Sequence, residues 1–457
     1  MDISVPIPVG TFSLNVDPTG FFSAVLVDSL GNTSEFAANM TGSPSSVIRY
    51  GIFPVDNTAF WARFEGSSDP GASMTACMAN VEVTDISDCE LTFAATADGD
   101  GEWNVTGDFS GITGVLNSTF YISVRDDSDP TTWAGSGKVI WIDTNLDNGG
   151  APHANTCTAG TIDLNACTMR DAIDSASGGE TIIFDGGQFS TVSTGTITLV
   201  DDFPVIAVDD LDILTANGIS ADFTLPIYFL PLSIDADGHE GIVISGDDNY
   251  LTGLEISGTA NAGLEITGSG NRIGDECTAV VRVFEAGGDG VWVHGPGATA
   301  NAIEMIYVAD SGARGFVLED SADNNIIGVD ECYGFDVSGS ANEGVYVDNV
   351  SGTDVGVMSL DDAAAGGDPA IRLIDVTDFA PGVGFVENST AGDVVVTGAS
   401  SGVDFSNVLF NSSFAAAGTI PFDLGDDGYA GSSDPSSPNN YISAPTVVDL
   451  EPTGPSA

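Results

Sequence analysis

Gly241-Ile242-Val243-Ile244 is echoed by Gly263-Leu264-Glu265-Ile266, Gly290-Val291-Trp292-Val293, Gly315-Phe316-Val317-Leu318 and Gly344-Val345-Tyr346-Val347, at steps of 22, 27, 25 and 29 residues. Each unit begins with glycine and then alternates, the period of a strand with one buried side. A second short run led by asparagine follows in four of the repeats: Asn249-Tyr250-Leu251, Asn271-Arg272-Ile273, Asn301-Ala302-Ile303 and Asn325-Ile326-Ile327. A repeat of variable length with fixed strands predicts a parallel β-helix. Successive coils stack, inward Val, Ile and Leu cover one another, and length differences bulge out as loops. Ala370-Ile371-Arg372-Leu373 and Gly402-Val403-Asp404-Phe405 read as later, weaker copies. About nine coils at roughly 4.8 Å would make a rod of about 45 Å. Asn249, Asn271, Asn301 and Asn325 are expected to form an amide ladder at one internal corner.

Working outward, the β-helix is placed at 136–415. Near its start, Thr168 with Asp171 reads as a capping box, and Met169, Ala172, Ile173 and Ala176 share one apolar face. A helix over Thr168–Ser177 is therefore expected, placed to cap the open N-terminal end of the stack, which would otherwise be an aggregating edge. Upstream, Val47–Tyr50, Ala59–Phe64 and Phe120–Arg125 alternate between turn-rich clusters without helical periodicity. They predict an all-β, immunoglobulin-like sandwich at 47–135, preceded by a sandwich segment at 1–46. Residues 416–457 are expected to form a C-terminal linker and strand segment that completes a neighbouring sandwich.

Nine Lys and Arg against 67 Asp and Glu give a formal charge of −58, yet 42% of the residues are hydrophobic. The chain has the apolar material for a core, so disorder is not the default. So few cations cannot build a phosphate-binding groove, which excludes nucleic acid and anionic membranes as partners. There is no apolar run long enough for membrane insertion, and Met1–Pro6 lack the basic and apolar regions of a signal peptide. Six cysteines fall as Cys77 with Cys89, Cys157 with Cys167, and Cys277 with Cys332. Local disulfides in an oxidising compartment are the simplest reading, and six reduced buried thiols the alternative. Cys277 and Cys332 lie two coils apart by the repeat count, roughly 9.6 Å by stacking alone, so their pairing requires converging loops.

Asp143, Asn145 and Asp147 alternate as hard oxygen ligands do in a Ca²⁺ loop, but Asn148 and Ala154 stand where an EF-hand has Gly and Glu. A looser Ca²⁺ site is expected there. Asp98-Gly99-Asp100-Gly101 and Asp423 with Asp426 and Asp427 are lesser candidates.

Cys167-Thr168-Met169-Arg170-Asp171-Ala172-Ile173, followed by Thr181-Ile182-Ile183-Phe184, resembles the Cys-Ser-Leu-Arg-Glu-Ala-Ile signature. That signature opens right-handed β-helix domains in large exported, surface-associated proteins of bacteria and archaea. Asp143, Asn145, Asp147 and Cys157 stand where that family has an Asp-rich loop and an earlier cysteine. Thr168, Met169 and Asp171 depart from it conservatively. Phe22–Asp28 with Gly31–Phe36 is similar to the end of the sandwich that follows such a β-helix, and Leu424–Gly428 with Ser437–Pro445 to the linker between them. The resemblance covers most of 1–46 and 136–457, and implies an adhesin-like exported protein with immunoglobulin-like modules. Its modules run out of phase, which implies either one period of a tandem protein or a subunit whose C-terminal strands complete a neighbour's N-terminal sandwich. In the alternative, 1–46 and 47–135 make one sandwich together.

The function expected is therefore an extracellular, cell-surface structural or adhesive protein, not an enzyme. Its specific form would be a subunit self-associating head to tail into a filament or sheath, with glycans as possible surface ligands. The alternatives are a β-helix polysaccharide hydrolase or lyase, marked by an exposed acid pair with perturbed titration on one sheet face, and a carbohydrate-binding module, marked by aromatics in line. Alternation leaves open whether Trp292 and Tyr346 point inward or outward.

Overall fold

The computed structural model describes residues 46–424 apart from 57–58, 100, 109–115, 129–130, 132, 143, 148–156, 158–166, 185–195, 215–231, 275–279, 329–333, 362–367, 388–393, 406 and 412–421. These residues are predominantly strand, with few helical turns, chiefly Met169–Ser175 (α1) and a 3₁₀ turn at Ile86–Asp88. Those from Glu180 onward form a right-handed parallel β-solenoid of about six turns. Within the stretch for which about nine coils are anticipated, residues 185–195, 215–231 and 412–421 lie outside the described residues.

Three faces make up each turn. The first stacks Glu180–Phe184, Asp212–Leu214, Tyr250–Thr252, Arg272–Ile273, Ala302–Ile303 and Ile326–Ile327. The second runs from Thr196–Thr198 through Leu232–Asp235, Leu254–Ser257, Val281–Phe284, Ile306–Ala309 and Phe335–Ser338. Asp354–Asp361 and Ala380–Glu387 are long enough to bend from the first face into the second, where Val408–Asn411 pairs next. The third is an eight-stranded parallel sheet from Ile242–Ile244 to Phe422–Leu424; its first five strands follow Gly241, Gly263, Gly290, Gly315 and Gly344, its sixth follows Ala370, and its seventh is Val394–Thr397 rather than the copy expected at Gly402–Phe405, which forms no strand.

Register explains the repeat. Leu264, Val291, Phe316, Val345, Ile371 and Val394 lie in line along the third face, all buried in one core that extends from Ile140 to Val396. Each inward Leu, Ile or Val is worth about 2 kcal/mol of burial only because the coils on either side exclude water from it. The leading glycines stand at a corner where coils touch: a Cβ on Gly263 would lie 2.2 Å from Val283 Cγ1, and one on Gly290 2.2 Å from Val308 Cγ1 and 2.6 Å from the Gly315 carbonyl.

The asparagine ladder is present at another corner. Asn249, Asn271 and Asn301 each donate a backbone N–H to the Oδ1 of the next asparagine at 2.8–2.9 Å, and the last, Asn325, spends its Nδ2 on the Ala298 and Ala322 carbonyls. These backbone N–H groups are bonded at a buried bend where the sheet ladder is interrupted.

The antiparallel region is continuous with the solenoid. Ser46–Asp56, Ala59–Ser67 and Glu102–Asp108 form one sheet. Leu91–Thr96, Ser73–Ala79, Thr119–Asp126 and Ala134–Ile142 form another in that order. Ala134–Ile142 spans the expected 135/136 boundary and pairs in parallel with Glu180–Phe184, the first strand of the solenoid's first face. Both its sides are buried: Ile140 and Ile142 enter the solenoid core, whereas Val139 and Trp141 join Met74, Phe120, Ile122 and Trp103 in a second core that also takes Ile183.

Helix α1 begins at Thr168, whose Oγ1 accepts from the Asp171 N–H at 3.0 Å, the Thr half of the expected capping box. It buries Met169, Ala172 and Ile173 in the solenoid core, and Ala176 follows as its C-terminal cap.

Candidate functional site

Five of the described basic side chains pair with an acid on a neighbouring strand or coil. Lys138 pairs with Glu180 on the adjoining strand at 2.9 Å, Arg272 with Glu304 at 2.7 Å, Arg282 with Glu255 at 3.8 Å, Arg314 with Asp289 at 2.7 Å and Arg372 with Glu343 at 2.6 Å. Each solenoid pair joins one coil to its neighbour; Arg272, Arg282 and Arg372 lie on strands, whereas Arg314 and Asp289 lie between strands. Burial alone would raise the Glu180 pKa, but hydrogen bonds from Ser177 and Lys138 outweigh it and hold it below the usual range.

The third face carries the densest outward cluster. Alternation points Glu265, Trp292, Val317 and Tyr346 outward on successive rungs, with His294, Glu319 and Asp348 beside them. The open question about Trp292 and Tyr346 is thus answered: both face out, above inward Val291, Val293, Val345 and Val347. The Trp292 indole N–H donates to Glu319 Oε1 at 2.7 Å, and its ring stacks on His294 with centroids 3.7 Å apart. His294 Nε2 lies 2.9 Å from Glu265 Oε1. Arg314 sits 4.5 Å from the Tyr346 ring centroid while bonding Asp289 and Glu319. Burial opposes the Arg314 charge, but those two carboxylates overcome it and raise the pKa. Burial, together with Asp348, pushes the Tyr346 hydroxyl up to about 12. Asp348 is raised too, by burial first and then by repulsion from Glu319, Asp375 and Asp320, against the bond from Tyr346.

Two other faces hold perturbed acids. Burial and the neighbouring Asp210 raise Asp212 to about 6, against a hydrogen bond from Thr181. Asp336 on the second face is raised by burial and by Asp361.

Of the expected calcium trio, Asp143 lies outside the described residues, Asn145 Nδ2 donates to the Thr196 carbonyl at 3.3 Å, and Asp147 pairs with Arg170. Asp98 accepts from the Glu102 N–H at 3.0 Å within its own turn; Asp100, Asp426 and Asp427 lie outside the described residues. A different group, Asp201, Asp202 and His239, brings three potential ligand atoms within 4.8 Å of one another. Sequence reading missed it because the histidine comes from the following coil.

Cys77 is bonded to Cys89 and Cys157 to Cys167. The first staples the hairpin between Ser73–Ala79 and Leu91–Thr96; the second is buried in the solenoid core beside α1. Cys277 and Cys332 lie outside the described residues.

No family model matches the chain, and no curated protein matches it. Among solved structures, pectate lyase Pel9A is similar at 12% identity and a TM-score of 0.30, over 70% of this chain and 91% of that one. No helix among the described residues is long and apolar enough to cross a membrane.

Proposed function

We propose that this chain is an extracellular structural and adhesive protein of the cell surface, self-associating head to tail into a filament or sheath. The observation that supports it most is the use of scarce cations. In a chain with 9 basic residues against 67 acids, Lys138, Arg272, Arg282, Arg314 and Arg372 each pair with an acid of a neighbouring strand or coil. Charge is spent on holding a rod together. In this reading the antiparallel unit serves as an immunoglobulin-like module, α1 closes the N-terminal end of the stack, and Ca²⁺ with other cations screens the acid surplus. Electron microscopy in saline containing Ca²⁺ tests it: filaments are expected from the full chain and not from a variant lacking residues 439–457. Monodisperse particles from both would overturn the assembly.

A second reading, a glycan-cleaving enzyme, draws on one pair. Glu319 and Asp348 are register partners on adjacent coils, one ion-paired with Arg314 and the other shifted toward its protonated form. Release of reducing ends from oligosaccharides, abolished in both Glu319→Gln and Asp348→Asn, would favour it over the structural reading.

A further inference from the structure

We propose that the outward side of the third face, from Glu265 to Asp348, binds an uncharged, extended hexopyranose chain lying along the solenoid axis, with Trp292 and Tyr346 as its two platforms. This deepens the adhesive part of the proposed function and rests on it, but not on the assembly.

The argument begins with register. Trp292, Val317 and Tyr346 are successive outward positions, so the two rings stand two rungs, roughly 9.6 Å, apart. In an extended, equatorially linked hexopyranose chain, rings i and i+2 stand a similar distance apart, so at least three residues are needed to stack on both. Val317 points outward between them and is nevertheless fully buried. The side chains around it close over the sheet and form a second layer, in which Trp292 and Tyr346 both remain partly exposed.

That layer is already fixed. The Trp292 N–H is held by Glu319 and its ring by His294; the Tyr346 hydroxyl is held by Asp348 and its ring by Arg314. Rings locked before a ligand arrives lose little side-chain entropy on binding. An aromatic ring offers a sugar ring an apolar surface, and Glu265, Glu319 and Asp348 add carboxylate acceptors suited to hydroxyl donors.

Charge selects among saccharides. Arg314 is matched by two acids, Asp289 and Glu319, and Arg372 beyond it by Glu343 and Asp368. Among the described residues the face has no surplus cation to meet a uronate or sulfate, and the −58 charge of the chain repels polyanions.

The test is titration calorimetry on the full chain in saline with β-1,4-linked glucose and N-acetylglucosamine hexasaccharides, their disaccharides, and oligogalacturonate. At least one uncharged hexasaccharide should bind, its disaccharide at least about tenfold more weakly because it cannot reach both rings. Trp292→Ala and Tyr346→Ala should each weaken binding about tenfold, whereas Tyr307→Ala, an outward aromatic on the second face, should not change it. Circular dichroism monitors folding. If an alanine variant fails to fold, the wild-type length dependence and a ligand-induced fluorescence change that is lost in Trp292→Phe decide instead. No binding of either uncharged hexasaccharide, equal binding of oligogalacturonate, or equal affinities of disaccharide and hexasaccharide would overturn the proposal. Filament formation is read separately, so either result leaves the assembly question independent.

Discussion

Arg170 grips Asp147 through two parallel hydrogen bonds, Nε to Oδ1 at 2.6 Å and Nη2 to Oδ2 at 2.7 Å, and the Val200 N–H donates to the same Oδ2 at 2.9 Å. Both side chains are almost wholly covered, at 6% and 1% exposure. Arg170 also donates to the Asp201 and Asp202 carbonyls, so a single guanidinium ties α1, the Asp147 segment and the next turn together. Removing one partner strands the other as a buried charge. Asp147→Asn and Arg170→Leu should each destabilise the protein by about 3 kcal/mol, measured by denaturant unfolding. The double variant should cost less than the sum of the two, by coupling on the order of 1 kcal/mol or more.

The asparagine ladder predicts a second loss. Asn271→Ala removes the acceptor of the buried Asn249 N–H and leaves a void at the corner. A cost of about 2 kcal/mol is expected. Faster amide exchange at Asn249 than at Asn301 would localise it.

At the glycine corner, Gly290→Ala places a methyl group against Val308 and the Gly315 carbonyl. The coils must part, at a cost of about 2 kcal/mol. Thermal unfolding should show this loss, while the same change at Gly295, which has open space but φ of +86°, should cost about 1 kcal/mol through backbone strain alone.

Asp212 and Glu180 set opposite pH dependences. The Asp212 pKa is raised in the folded protein to about 6 from 3.8, so the folded state binds the proton more tightly and loses stability as pH rises between those values. Asp212→Asn should therefore stabilise the protein at pH 7 by on the order of 2 kcal/mol, with the gain vanishing below about pH 4. Glu180 is lowered from 4.5, so it contributes stability above that pH and loses it on acidification; Glu180→Gln should be most destabilising near neutrality. Melting curves across pH check both signs.

Salt and reductant act on the whole molecule. At −58, added NaCl should raise the melting temperature steeply between 0.01 and about 0.5 M as the Debye length contracts. Replacing Cys157 and Cys167 by serine, which opens a bridge of sequence separation 10, should cost roughly 3 kcal/mol in the chain-entropy model.

Local pattern carried much of this architecture. Glycine-led alternating runs announced the third face, the asparagines announced a corner, and Thr168 announced α1, because strand alternation and helix capping depend on residues adjacent in sequence. Cysteine spacing likewise placed the Cys77–Cys89 and Cys157–Cys167 bonds. What spacing could not convey was which side chains meet across coils. Asp147 has the spacing of a calcium ligand, yet Arg170, 23 residues on, occupies its carboxylate. His239 joins Asp202 across 37 residues, and Glu319 meets Trp292 across 27. Ala134–Ile142 likewise looked like the border between two domains but is buried on both sides as the strand they share. Coil lengths vary, so sequence separation does not fix lateral register. Only the stacked sheet, in which each strand finds its rung by burying the one before it, determines which charges and rings become neighbours.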